Sequence, residues 1–91
     1  MAFEWDPEKA EANFAKHGVR FAESIPVFDD ATAITVLDDE SDPRERRFVS
    51  IGTGATGRVL VVAYTWRGKG IRIISARKAE AHERAQYEEN Q

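Results

Sequence analysis

Arginine is the residue type whose spacing in this sequence points most directly to chemistry. The segment GIRIISARK, residues 70–78, has the pattern of a buried strand, yet it carries Arg72 among its isoleucines and ends in Arg77 and Lys78. Guanidinium groups bind phosphate oxygens through paired hydrogen bonds, and they stabilise negative charge that develops during phosphate cleavage. The segment therefore predicts a site that handles phosphate groups.

The distribution of charge also indicates a polyanionic ligand. The chain of 91 residues has a formal net charge of −3, but residues 1–43 contain 11 Asp and Glu against 3 Lys and Arg. Residues 44–91 contain 10 Lys and Arg against 5 Asp and Glu, and within residues 44–78 the only acidic residue is Glu45. A basic segment in an acidic protein is typical of a polyanion-binding surface, although arginines that solvate an exposed sheet would give the same pattern.

Cleavage of RNA by its own 2′-hydroxyl group needs one group that accepts a proton, a cation that stabilises the phosphorane, and one group that protonates the leaving 5′-oxygen. Arginine can provide the cation, and a histidine or a tyrosine can transfer the protons. The candidates are His17, Tyr64 and Tyr87, and the alternative for each is a structural role in packing or capping. Because the chain has no cysteine and only two histidines, we expect no metal site and no cofactor.

Two further motifs resemble ligand sites but are better explained as turns or loops. GTGATG at 52–57 matches the dinucleotide pattern G-x-G-x-x-G, but a strand pattern follows it where the motif requires a helix, so we predict a hairpin turn. DDESD at 38–42 resembles a calcium loop, but Pro43 and Val49 stand where that loop requires glycine and glutamate. We expect a solvated loop there, which could also dock a basic partner.

The pattern of elements predicts one α+β domain over residues 1–91. Asp6, Pro7 and Gly18 mark the start and end of a first helix. The short connections between the later strands allow only antiparallel pairing, so we expect a four- to five-stranded antiparallel sheet with helices on one face. The predicted order is an edge strand at 3–5, the first helix, a second helical segment at 20–28, strands at 31–37, 46–54, 58–66 and 71–77, and a helix at 78–89.

Alternation along the strands predicts which side chains share a face. In the last strand, Arg77 would lie on the side of Ile71 and Ile73, and in the preceding strand Arg58 would align with Tyr64 and, further along, with Trp66. Cations at strand ends with aromatic rings nearby can hold phosphates and stack on unpaired bases. This arrangement favours single-stranded RNA over a duplex.

The same segments resemble the BrnT family of bacterial toxins. FEWDPEKAEANFAKHGVRF, VFDD, RRFVSIG, GRVLVVAYTWRG and IRIISARKAEAHERAQYEE follow the order of the family over nearly the whole chain. The resemblance implies a RelE-like fold with two N-terminal helices and a C-terminal helix, and a metal-independent ribonuclease that inhibits translation and growth. It also implies a BrnA-like antitoxin, through which alone the complex would contact operator DNA.

By position, the resemblance implies a catalytic set of His17, Arg58, Tyr64 and Arg77. From the basic strands we expect a second set that binds RNA, which consists of Arg47, Arg67, Arg72 and Lys78, and Arg72 also matches the family by position. Glu83, Arg84 and Tyr87 match the helical tail of the family, whereas the loop that often carries a His-Ser pair reads DESDPRE in this sequence.

A second hypothesis from a different functional class is a catalytically weak module that binds RNA and an antitoxin and takes part in autoregulation. For either function, a homodimer or a toxin–antitoxin heterotetramer is a plausible assembly. The first residues show no signal-peptide pattern, and the longest apolar stretch, Val59 to Tyr64, is too short to cross a membrane. We therefore expect a cytoplasmic protein.

Overall fold

The computed structural model describes residues 1–38, 40 and 42–91, so Asp39 and Ser41 of the predicted DDESD loop lie outside the described residues. The predicted helices and strands are all present, with ends shifted by up to about three residues, which is usual for such boundaries. None of the described helices is long and apolar enough to cross a membrane. The elements are β1 (Phe3–Glu4), α1 (Pro7–His17), a 3₁₀ helix (Phe21–Asp29), β2 (Ile34–Leu37), β3 (Arg47–Thr53), β4 (Val59–Arg67), β5 (Gly70–Lys78) and α2 (Ala81–Glu89).

The five strands form one sheet in the order β1-β5-β4-β3-β2. Strands β2 to β5 are the predicted antiparallel meander. The prediction of a wholly antiparallel sheet was wrong, because β1 pairs in parallel with β5 and aligns Phe3 with Ile71. No hairpin joins these two strands, so no turn requires them to be antiparallel.

A β-bulge in β5 changes the predicted faces of the sheet. Ala63 pairs with Ser75 but Tyr64 pairs with Ile73, so Ile74 is an extra residue between two regular stretches. Beyond the bulge the alternation is inverted. Arg77 therefore lies on the face opposite to Ile71 and Ile73, and the prediction that these three share a side was wrong.

The capping residues that predicted α1 have the expected contacts in the structure. The Asp6 carboxylate accepts a hydrogen bond from the backbone N–H of Glu8 at 2.9 Å, and Pro7 occupies the first turn, where its missing N–H costs nothing. Gly18 ends the helix in the left-handed conformation, with φ of 69°, and its N–H donates to the Phe14 carbonyl.

The side chain of Asn13 attaches α1 to the outer edge of β5. Its Nδ2 donates to the carbonyl oxygens of Ala76 at 2.8 Å and Val19 at 3.0 Å, and its Oδ1 accepts from the Ala76 N–H at 3.1 Å. Strand β1 does not extend this far along β5, so the buried Asn13 amide takes the place of a neighbouring strand. Three backbone groups that would otherwise lack partners are thereby satisfied.

The first face of the sheet, covered by α1 and the 3₁₀ helix, carries the main core. Phe21 and Val27 of the 3₁₀ helix are buried on it, and Pro26 lies inside that short helix. The core side chains that the sheet supplies are Leu60, Val62, Tyr64, Ile71, Ile73 and Ala76.

Helix α2 packs on the opposite, second face, so the prediction that all helices cover one face was wrong. The Glu80 and Glu83 side chains form a capping box at its start. Its one buried residue, Tyr87, bonds to the Thr53 hydroxyl at 2.9 Å, and Thr53 shares the second face with its partner Val59. Its hydrogen bonds to this face, from Tyr87 to Thr53 and from Arg77 to Glu83, lie at the end of the sheet where β4 begins.

The Asp30 carboxylate joins α2 to the sheet. It accepts hydrogen bonds from the Tyr87 hydroxyl and from the backbone N–H of Thr53, which β2 is too short to reach, and it also accepts bonds from Thr32. Burial alone would raise the pKa of Asp30, but the bonds from Tyr87, Thr53 and Thr32 outweigh it and lower the pKa to about 2.

Replacing Asn13 by Ala should lower the free energy of unfolding by about 2–4 kcal/mol, because three backbone groups lose their partner at a buried position. Asn90→Ala is the matched control, since its amide donates to the Thr32 carbonyl at an exposed position. We expect this control to cost less than about 1 kcal/mol. Urea denaturation measures both, and equal losses would contradict the role of Asn13.

Asp30 should make the protein less stable in acid. Its folded pKa of about 2 lies below the unfolded value, so its contribution of about 1–2 kcal/mol is present above about pH 5 and is lost as the pH falls toward 2. Tyr87→Phe should flatten this pH dependence, whereas Tyr64→Phe, whose hydroxyl contacts Ser50, should not. Denaturation at a series of pH values tests this, and identical slopes in both variants would refute it.

Candidate functional site

The structure divides the predicted site residues between the two ends of the sheet. Arg58 lies at the start of β4, whereas Arg72 pairs with Thr65 near the end of that strand. The separation along the strand is about 23 Å, so the two side chains cannot contact the same phosphate. The end of the sheet that carries Arg58 also carries His17, Arg77 and Lys78. The opposite end carries Arg72, Arg47 and Arg67.

Arg58 is held at the first end by a bidentate ion pair. Its Nε and Nη2 donate to the two carboxylate oxygens of Glu23, each at 2.9 Å, and Nη2 also donates to the Gly18 carbonyl at 3.2 Å. The hydrogen bond from Arg58 lowers the pKa of Glu23 despite partial burial. Arg58 thus connects the 3₁₀ helix to the end of α1, where His17 is half-buried next to Gly18.

Arg77 makes the corresponding pair with α2. Its Nη1 and Nη2 donate to the two oxygens of Glu83 at 2.7 and 2.8 Å, and Nη1 also donates to the Lys78 carbonyl at 3.3 Å. The bond from Arg77 lowers the pKa of Glu83 to about 2, against the effect of burial and with help from the Glu80 N–H. Arg77 therefore orients the start of α2 and the end of β5.

Two cations next to these pairs have no carboxylate partner. Lys78 and Arg84 are exposed and form no ion pair with any residue that the structure describes. Together with Arg58 and Glu88 they line a groove of about 400 Å³. We call the group of Arg58, Arg77, Lys78, Arg84 and His17 the basic corner.

At the other end, a row of paired residues crosses the second face. Arg72, Thr65 and Arg47 are cross-strand neighbours on β5, β4 and β3. Arg72 donates to Glu4 at 3.0 Å and Arg67 donates to Glu45 at 3.1 Å. Arg47 is exposed.

The aromatic residues of β4 differ in accessibility. Trp66 is 47% exposed and borders a groove of about 380 Å³ together with Arg44, Arg46 and Arg67, where it could stack on a base. Tyr64 is 5% exposed, its hydroxyl lies 2.9 Å from the Ser50 hydroxyl, and its ring packs on Phe28 and Phe48. In this conformation the Tyr64 hydroxyl does not reach the basic corner.

Reasoning from sequence missed the carboxylates that accompany the arginines. Within the described residues, five of the nine cations in residues 44–78 have an acidic partner: Arg44, Arg58, Arg67, Arg72 and Arg77. Glu23 and Glu4 come from distant parts of the chain, so no local signal could have identified them. Glu83 lies six residues after Arg77, but in the sequence it matched only the helical tail of the family. Within the described part of the chain, no three His, Asp or Glu residues converge as metal ligands.

The sequence and the fold were compared with those of known proteins. The family model for the ribonuclease toxin BrnT of type II toxin–antitoxin systems matches residues 5–83. The chain belongs to the BrnT family. Among solved structures, it is similar to the crystal structure of the ribonuclease toxin BrnT from Brucella abortus, with 26% identity and a TM-score of 0.71 over 88% of this chain and 97% of that one. No curated protein sequence gives a significant match.

The match to BrnT confirms the predicted family and the mixed α+β fold of three helices and a five-stranded sheet. The matched region contains the whole basic corner except Arg84, which follows it directly. Family membership also implies that the chain has an antitoxin partner, since toxins of this type act in toxin–antitoxin pairs.

The pair of Arg77 and Glu83 should stabilise the fold as well as shape the corner. Arg77→Ala, Glu83→Gln and the double variant form a thermodynamic cycle, in which we expect a coupling energy of about 1 kcal/mol, because the pair is bidentate but partly exposed. Urea denaturation of the four proteins gives this energy. Additive losses would show that the pair contributes no stability.

Proposed function

We propose that this chain is a metal-independent endoribonuclease that acts in the cytoplasm as the toxin of a type II toxin–antitoxin system. It cleaves RNA, inhibits translation and growth, and is neutralised by a BrnA-like antitoxin. The observation that carries the proposal is the BrnT family match over residues 5–83, which includes most of the basic corner. Cations, a histidine and an open groove at one corner are what RNA cleavage by the 2′-hydroxyl requires.

In this proposal the corner stabilises charge on the scissile phosphate. The Nη1 of Arg58 makes no hydrogen bond within the described part of the chain, so its two N–H donors can contact a phosphate oxygen while Nε and Nη2 keep their bonds to Glu23. Lys78, which has no ion-pair partner there, supplies a second positive charge. Such fixed donors stabilise the phosphorane because little reorganisation accompanies the reaction.

In this proposal His17 transfers the proton in two stages: it accepts the proton of the attacking 2′-hydroxyl group and then donates it to the leaving 5′-oxygen. The end of α1 holds His17 next to Gly18, whose carbonyl accepts a hydrogen bond from Arg58. Tyr64 is the weaker candidate because its hydroxyl lies in the core against Ser50. Arg77 acts indirectly by holding the end of β5 through the Lys78 carbonyl. Arg47, Arg67 and Arg72 attract the RNA strand at the far end of the sheet, where Trp66 offers a stacking surface.

Purified protein should cleave a labelled single-stranded RNA in the presence of EDTA. Lys78→Ala should reduce the rate by about 10- to 100-fold, since it removes a cation from the developing charge, and His17→Gln should reduce it by about 100-fold. Lys69→Ala is the matched control for Lys78, because Lys69 is an exposed lysine of the same hairpin at the opposite end of the sheet. Its rate should stay within about twofold of that of the wild type.

The results separate the parts of the proposal. Cleavage that stops in EDTA would refute metal independence. Cleavage by Lys78→Ala and His17→Gln at the wild-type rate would remove the basic corner as the site. Equal losses in Lys78→Ala and Lys69→Ala would reduce the effect to general electrostatic attraction.

The pairing of cations with carboxylates favours a second candidate function, because the paired guanidinium groups have fewer donors left to stabilise a scissile phosphate. In it, the chain is a catalytically weak module that binds RNA and the antitoxin, and reaches operator DNA only through the antitoxin, in a heterotetramer. RNA binding that weakens steeply with salt, without cleavage, would favour this function.

A further inference from the structure

The two edges of the sheet differ in how their outward backbone groups are paired. On one side, the edge of β5 is covered by β1 at Ile71 and Arg72, and further along by the Asn13 amide at Ala76. On the other side lies β2, and no described strand pairs with its outer side. A free strand edge is a template for pairing with another chain, and proteins usually block it with charged residues, proline or a bulge.

Strand β2 carries none of these protections. Its four residues, Ile-Thr-Val-Leu, include no charge and no proline, and they pair with β3 in unbroken register. Thr35, Val36 and Leu37 are exposed, with Val36 55% and Leu37 37% accessible. The strand is therefore an uncharged edge without a bulge, and it has exposed side chains on both faces.

The register identifies the backbone groups that point outward. The Asp38 N–H donates to the Arg47 carbonyl, and in an antiparallel pair such bonded positions recur at every second residue. Ile34 and Val36 therefore exchange their hydrogen bonds with β3, whereas Thr35 and Leu37 direct their N–H and C=O groups away from the sheet. The close approach of the Thr35 and Ser50 hydroxyls, at 2.8 Å, fits a non-bonded pair at that position.

The charge around β2 specifies the kind of partner. Residues 29–42, which contain β2, include six Asp and Glu and no Lys or Arg. Asp30 remains ionised well below neutral pH because its pKa is lowered to about 2. An extended segment with an uncharged centre and Lys or Arg on either side would match this edge in both hydrogen bonding and charge.

We propose that the free edge of β2 receives an extended, basic-flanked segment of the antitoxin as a sixth strand. This inference rests on the proposed function, because the partner is the antitoxin of that system. The segment forms hydrogen bonds with the outward groups of Thr35 and Leu37, and one of its apolar side chains packs beside Val36. Its cations lie near the acidic residues before and after β2.

A second copy of the chain fits this edge less well. Pairing of β2 with itself would bring two segments of six carboxylates together, and like charges oppose such an interface. The same acidic flanks favour a basic segment.

Amide hydrogen exchange tests the proposal residue by residue. In the free toxin, the amides of Ile34 and Val36 should exchange slowly and those of Thr35 and Leu37 rapidly. In the purified complex with the co-expressed antitoxin, Thr35 and Leu37 should become at least about tenfold slower. Unchanged exchange at both residues in the complex would overturn the proposal, because contact through side chains alone does not bond these amides.

Variants of Leu37 provide an independent test. Leu37→Pro removes an outward donor but no bond to β3, and Leu37→Ala is the matched control that shortens the same side chain and keeps the donor. Leu37→Pro should weaken antitoxin binding at least about tenfold, and Leu37→Ala by less than about threefold. Val36→Lys, which opposes a basic segment, should also weaken binding, whereas Val36→Glu should weaken it less.

Cleavage and assembly measurements separate this inference from the proposed function. All four variants should cleave RNA without antitoxin within about threefold of the wild-type rate, since β2 contributes no residue to the basic corner. Wild-type antitoxin affinity in Leu37→Pro and Val36→Lys would overturn the edge proposal and leave the ribonuclease proposal intact. Absence of cleavage by the wild type, with the pattern of binding losses unchanged, would overturn only the ribonuclease. If the wild-type toxin without antitoxin is a dimer and only the Leu37→Pro variant is a monomer, the edge binds a second copy of the chain and the proposal is overturned.

Discussion

The hydrogen bonds of the Asn13 amide determine where the first helix lies, and the arrangement of the basic corner depends on that position. One side chain satisfies the two backbone groups of Ala76 and the carbonyl of Val19, so α1 cannot slide along β5 without leaving buried polar groups unpaired. The helix consequently ends at the end of the sheet where β4 begins. There the Gly18 carbonyl meets Arg58, and His17 is brought to the same corner.

The arginines combine two physical roles that the sequence alone does not separate. Arg58 and Arg77 each use a bidentate pair with a glutamate to tie a helix to the sheet, and this pairing fixes the orientation of the guanidinium groups. Oriented donors are better suited to a developing negative charge than mobile ones, because they need little reorganisation. The same carboxylates reduce the net charge of the corner, so the positive charge that remains there comes mainly from Lys78 and Arg84.

The two faces and the two edges of the sheet have different surroundings. The first face carries the core beneath α1 and the 3₁₀ helix, and α2 is hydrogen-bonded to the second face at the end where β4 begins. One edge is closed by β1 and the Asn13 amide, while β2 leaves the other edge open amid acidic residues. The basic corner and the edge of β2 share no residue, so the two proposed ligands would not compete for the same side chains.

The sequence by itself determined the elements and the family. The capping signals of α1, the glycine-rich hairpin at 52–57 and the β-branched strands are local features, and each produced the predicted structure because neighbouring residues decide it. The five segments from FEWDPEKAEANFAKHGVRF to IRIISARKAEAHERAQYEE identified the BrnT family, which the family model confirms. The parallel pairing of β1 could not be predicted, because it joins residues almost seventy positions apart.

Only the tertiary structure decided which cations share a surface. The extra residue Ile74 inverts the alternation of β5, and so places Arg72 and Arg77 on one face although five positions separate them. Partners from distant segments, such as Glu23 for Arg58 and Glu4 for Arg72, converted an apparent basic block into a set of mostly paired charges. Local sequence specifies backbone conformation, but long-range packing brings charges together, and the electrostatics of the site follow from that packing.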